Sequence, residues 1–119
     1  DVWANRYVLE KGQRVYSPNN PQTDGHLAPE GWYRDTAKGV IIQWGRGWYK
    51  DNQVVNFPTP FPTMACSVQI SANPADTNNA EVSQAYPLNA TSFIVGCGAY
   101  RDGRFYPSAF NCTWMAIGY

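Results

Sequence analysis

The sequence predicts an all-β fold, a small antiparallel β-sandwich, on three observations. Helical periodicity is hard to find along the chain. Ten Gly and nine Pro break its 119 residues every few positions. Short runs of β-branched and aromatic residues recur between turn-forming residues. A chain of this length builds one core and is too short for two.

Val2–Val8 and Arg14–Tyr16 carry short extended patterns, and Ser17–Gly25 is polar. This stretch holds too few apolar groups to fold alone, so it needs partners, naturally the same segments of two neighbouring chains. A boundary is expected near Pro29–Gly31, dividing residues 1–30 from 31–119. Val40–Trp44 and Val54–Phe57 read as strands, with Trp48-Tyr49-Lys50-Asp51-Asn52 as an exposed connection between them. Phe57-Pro58-Thr59-Pro60-Phe61-Pro62 lacks the N–H groups a central strand needs, and should cross the domain as an extended segment. In Cys66–Ala72, residues Cys66, Val68, Ile70 and Ala72 alternate with Ser67, Gln69 and Ser71, as in a strand with one wet face. Asn73–Gln84 is a polar run. Ser92–Cys97 and Cys112–Ile117 complete the strands, and Asp102-Gly103 between them favours a tight hairpin turn.

Several function classes fall away on composition. Nine Lys and Arg balance nine Asp and Glu, and no basic run exists, so the long-range attraction to a phosphate backbone is missing and nucleic acid is not an expected partner. Apolar stretches such as Gly39-Val40-Ile41-Ile42 are far too short to span a bilayer, and no basic-then-apolar leader opens the chain, so no membrane insertion is expected. Beginning at Asp1 in mid-pattern, the chain reads as a C-terminal domain of something longer. Cys66, Cys97 and Cys112 lie in strand-like runs without metal-site spacing and read as buried free thiols, with one Cys97–Cys112 bridge left open. The carboxylates sit beside Gly, Asn, Pro or other charges in expected loops, where they stay solvated, so no catalytic pair is expected. His26 is the one histidine and has no nucleophile signature around it. Whether three copies of it meet a metal on a threefold axis stays open. No cofactor is expected.

Gly31-Trp32-Tyr33, Gly39-Val40-Ile41-Ile42-Gln43-Trp44-Gly45, the Phe57-Pro58 and Phe61-Pro62 pairs, and the ending Trp114-Met115-Ala116-Ile117-Gly118-Tyr119 together resemble the C-terminal domains of bacteriophage tail fibres. The resemblance covers about residues 31–119, and the first thirty resemble the end of a fibre shaft. At Arg34-Asp35-Thr36-Ala37-Lys38 the chain departs from the family's short apolar, Asn-Gly-containing turn. The resemblance implies a homotrimer at the distal end of a tail fibre, part of the virion and made in the bacterial host cytoplasm. It further implies binding to lipopolysaccharide or another surface glycan, and folding assisted by a phage fibre-assembly chaperone. A polysaccharide-degrading tip and a purely structural trimerisation cap are the competing readings.

The aromatic fraction of 15% exceeds what so small a core can hold, so some rings must lie on interfaces or binding surfaces. Trp32, Trp44, Phe57, Phe61, Trp114 and Tyr119 are assigned to packing because they lie within or beside strands. The receptor-binding candidates are Tyr100, Arg101, Asp102, Arg104, Phe105 and Tyr106, followed by Trp48, Tyr49, Lys50 and Asp51. Sugars present apolar ring faces edged by hydroxyls, which calls for exposed aromatics beside bidentate polar groups. Arg101 and Arg104 also suit phosphate or acidic sugar groups. That Asp102-Gly103 merely turns a hairpin, with the flanking rings covering a core edge, weighs equally. Asn73–Gln84 ranks third.

Overall fold

The computed structural model describes residues 9–10, 13–14, 23–73 and 80–119, and every regular element among them is a strand. The expected extended runs Val2–Val8 and Arg14–Tyr16 lie largely outside the described residues. A short antiparallel pair joins β1 (Leu9–Glu10) to β2 (Gln13–Arg14).

The larger sheet has five antiparallel strands in the order β3 (Thr23–His26), β4 (Gly31–Asp35), β5 (Ile41–Lys50), β11 (Ala109–Gly118) and β7 (Ala65–Ala72). The last strand of the chain therefore lies between two others. The second sheet is built on β9 (Ser92–Arg101), with β8 (Ala80–Pro87) along one edge. β6 (Gln53–Asn56) and β10 (Arg104–Pro107) lie end to end along its other edge. All of these pairings are antiparallel, so the predicted fold class holds.

The two sheets enclose a core in which Ile41, Phe110, Cys112, Trp114 and Ala116 of one meet Phe93, Val95 and Cys97 of the other. Trp114 stands 4.9 Å from Phe93 and 5.9 Å from Phe57, ring centre to ring centre. Its indole N–H donates to the Tyr49 hydroxyl at 3.1 Å, which satisfies the polar handle that a buried Trp carries.

The recurring residues of β5 acquire separate jobs. Gln43 is fully buried; its Nε2 donates to the Thr59 carbonyl at 2.7 Å and its Oε1 accepts from the Thr59 N–H at 3.0 Å. The side-chain amide thereby replaces a missing strand partner for the proline-rich crossing segment, which has no ladder of its own. Trp44 donates its indole N–H to the Ala28 carbonyl at 2.8 Å, tying down the loop before β4. Gly45 leaves room for Trp114, since a Cβ there would stand 2.6 Å from that ring. At the other end, the Tyr119 carbonyl accepts from the N–H groups of Thr63 and Met64, and its N–H donates to Met64 O at 3.0 Å. Tyr119 thus fastens the two residues that follow closely on the crossing segment.

The turn at Arg34–Lys38 is closed by Asp35, whose carboxylate accepts from the N–H groups of Ala37 and Lys38, and by Gly39 at φ 87°. Cys97 and Cys112 are buried free thiols with sulfurs 3.9 Å apart, each facing the Ser83 hydroxyl. Burial pushes the Cys97 thiol up to about 11, so it stays protonated and unreactive near neutrality.

Three sequence expectations need correction. Cys66 is exposed, because the register slips between Ile117 and Gly118, which pair with Ser67 and Ala65 and leave Cys66 as the extra residue of a bulge. Trp48, Tyr49 and Lys50 are the end of strand β5 and not a connection; only Asp51-Asn52 turns, with Asn52 at φ 65°. The polar run Asn73–Gln84 contains the start of strand β8, while residues 74–79 lie outside the described residues.

Candidate functional site

β9 and β10 form a hairpin whose central turn residues, Asp102 and Gly103, have φ of 49° and 74°. Positive φ at both positions marks the type I′ turn, whose twist matches that of the flanking strands. Every residue from Tyr100 to Ser108 is exposed, so the hairpin projects past the core.

Strand alternation divides the candidate residues of this hairpin between two faces. On β9, Val95, Cys97 and Ala99 point into the sandwich, and Ile94, Gly96, Gly98 and Tyr100 point away from it. Phe105 pairs with Tyr100 and shares its outward face, the two rings lying 5.4 Å apart. Arg101 pairs directly with Arg104 on the opposite face, and Tyr106, opposite Ala99, belongs to that face too. Like charges directly across a strand pair repel. Neither guanidinium makes an ion pair or hydrogen bond among the described residues, where the one ion pair is Arg34–Asp24.

The outward face carries a cup. Its floor is Gly96, and its walls are Val82 and Gln84 from β8 together with Tyr100 and Phe105 from the hairpin. The free volume is about 200 Å³. The Phe105 ring leans over Gly98, where a Cβ would stand 2.2 Å from it, so that glycine lets the ring lie flat on the sheet. Gly96 lies beneath the Gln84 side chain, which a Cβ there would meet at 3.1 Å, with the Asp51 carboxylate at 3.6 Å.

The second candidate group is broken up. Tyr49 is 6% exposed and its hydroxyl is bonded to Trp114; burial raises its pKa above the usual phenol value. A side chain so enclosed has no surface for a ligand, and Tyr49 is removed from the candidates. Asp51 is half-buried, and its carboxylate accepts from the Cys97 N–H at 3.0 Å, filling the gap in the ladder between β6 and β10. Lys50 stays exposed, and Trp48 is 64% exposed on the outer face of the five-stranded sheet. There it pairs with Asn111, whose neighbours Arg46, Thr113 and Asn73 line a broad polar depression. Trp48 and the Tyr100–Phe105 pair therefore lie on opposite faces of the sandwich.

Gly96 is a cup residue that the sequence reading passes over, and Val82 and Gln84 belong to its third-ranked run, Asn73–Gln84, without being singled out. Their signal is faint: Val82, Gln84 and Tyr86 fall on one parity of β8, and Gly96 and Gly98 leave one parity of β9 bare.

These features define an antiparallel β-sandwich of the kind that presents a projecting hairpin and exposed rings from a rigid scaffold. Residues 34–119 match the family described as tail fiber protein gp53-like, C-terminal, and the chain belongs to that family of tail-fibre domains. The fold is similar to the R2 pyocin fibre of P. aeruginosa, with a TM-score of 0.70 at 22% identity over 82% of this chain and 26% of that one. An N-truncated R2-type pyocin tail fibre gives 0.70 at 22% identity, over 88% of this chain and 39% of its own. An N-truncated R1-type pyocin tail fibre gives 0.66 at 20% identity, over 82% and 85%. The chain thus spans well under half of the first two fibres. No curated protein sequence matches it.

Proposed function

We propose that the chain is the receptor-binding tip of a bacteriophage tail fibre, at the fibre's distal end in the virion, and that it recognises surface carbohydrate of a bacterium, lipopolysaccharide foremost. The observation that carries this reading is the projecting β9–β10 hairpin, where Arg101 and Arg104 face each other across the strands without an acidic partner among the described residues. Such a pair costs stability in the free protein and becomes favourable once a phosphate or acidic sugar bridges it. Tyr106 on the same face and Trp48 elsewhere supply rings for stacking. Binding proceeds without cleavage, and the fibre folds with the help of a phage fibre-assembly chaperone.

Replacing Arg101, Arg104 and Tyr106 together with Ala is expected to abolish adsorption to host cells. Each exposed replacement should change stability by no more than about 1 kcal/mol. Normal adsorption by the folded triple variant would move the site elsewhere, Trp48 being next. Incubating the intact protein with host polysaccharide is expected to give binding with no new reducing ends, and released oligosaccharide would establish a hydrolase or lyase instead.

The working unit in this reading is a homotrimer, with residues 1–30 as the end of the shaft. β3 pairs with β4, so the five-stranded sheet reaches back across Pro29–Gly31. The outer face of that sheet supports assembly: Tyr33, Ile42 and Ile117 form one cross-strand row, and Trp44 with Met115 the next. Met115 and Ile117 are 56% and 43% exposed, an apolar surface that a neighbouring copy would cover. Sedimentation at micromolar concentration is expected to give three chains, and Met115→Glu with Ile117→Glu to give one. A stable wild-type monomer would overturn the trimer.

A further inference from the structure

Beyond a general affinity for carbohydrate, the cup on the outer face of the β8–β9–β10 sheet has a more selective chemistry. Three of its four walls, Val82, Tyr100 and Phe105, are apolar or aromatic. The fourth is Gln84, whose side-chain amide makes no hydrogen bond among the described residues. A primary amide offers donors on nitrogen and an acceptor on oxygen. The group that would complete it must offer this amide a hydrogen-bond partner and carry an apolar end to set against Val82 and the rings.

We propose that the cup receives the acetamido group of an N-acetylated sugar residue. The acetamido carbonyl accepts from Gln84 Nε2, and its methyl group lies between Val82 and Phe105. Tyr100, at 54% exposure, is placed to take the face of the sugar ring. A hydroxyl in place of the acetamido group would leave its polar atom against Val82 and Phe105 without a full set of partners, which disfavours it. The missing side chain at Gly96 lets Gln84 lie close over the sheet at the base of the cup, and none of its five lining residues is charged. Arg101 and Arg104 point to the other face of the hairpin, so this subsite reads a neutral group and the arginine pair an acidic one.

The inference rests on the carbohydrate-binding reading, and the test separates the two. The full chain is titrated by NMR with N-acetylglucosamine, N-acetylgalactosamine, glucose and galactose, and its binding to host polysaccharide is measured in parallel. At least one N-acetylated sugar is expected to shift the backbone resonances of Val82, Gln84 and Gly96, with the plain hexoses binding about tenfold more weakly or less. Gly96→Val fills the cup with a β-branched residue that suits a strand, and should remove this binding. Gln84→Leu, a surface change that keeps the fold, should weaken it about tenfold. Equal response to glucose and N-acetylglucosamine, or undiminished binding by folded Gly96→Val and Gln84→Leu, overturns the cup assignment. If polysaccharide still binds in that case, the carbohydrate reading stands and only the cup falls. If neither polysaccharide nor any sugar binds the wild-type chain, both fall.

Discussion

Deleting Trp114–Tyr119 is expected to give insoluble protein. These residues are the second half of β11, which pairs with β5 on one side and β7 on the other, so their loss leaves two facing strand edges open at the centre of the sheet. Trp114 and Ala116 leave the core with them, and removing a buried Trp side chain alone costs about 3–5 kcal/mol. The Tyr119 hydrogen bonds that hold Thr63 and Met64 go as well. Against a total stability of about 5–15 kcal/mol, these losses are enough to unfold a small domain. The measurement is the soluble fraction after expression, followed by sedimentation. A soluble deletion variant that assembles like the wild type would show that the strand is not integral to the sheet.

The parts of the fold that were legible in the sequence are those where chemistry and position coincide. Ser92–Cys97 and Cys112–Ile117 show their β-character directly, and the structure extends each by a few residues. Asp102-Gly103 announces its turn because few other pairs tolerate two positive φ angles. β8 was hidden because its pattern is reversed. Ser83 and Ala85, small or polar, point inward, and Val82 and Tyr86 point to solvent, so the strand looks like a polar loop. The end of β5 was hidden by Gly45 and Gly47, which suggest bends. They sit in a continuous strand because the Trp114 and Tyr49 rings occupy the space their side chains would take. The candidate site follows the same division. The rings and arginines of the hairpin can be read from seven adjacent residues, whereas the cup depends on a glycine floor and a wall from another strand. Their juxtaposition exists only after β8 pairs with β9.

Gln43→Leu is expected to lower stability by about 2–5 kcal/mol, although the replacement is apolar, similar in size and placed in a core position. The Thr59 N–H and C=O both lose their partner, and an unpaired buried polar group costs about 1–3 kcal/mol. Ordinary core reasoning predicts the opposite sign, because burying Leu in place of an amide favours folding. The structure decides between them: the proline-rich segment has no neighbouring strand at Thr59, and Gln43, fully buried, is the group that supplies both halves of a strand-like pairing. Gln43→Glu separates the two contributions. A carboxylate still accepts from the Thr59 N–H but turns a second acceptor toward the Thr59 carbonyl, and it brings a buried charge without a counterion. It should therefore destabilise at least as much as Leu at neutral pH, and less in mild acid, where the protonated carboxyl can donate to the carbonyl. Denaturant titration at two pH values reads all three proteins. A Leu variant as stable as the wild type would show that water satisfies Thr59 and that the clamp contributes little.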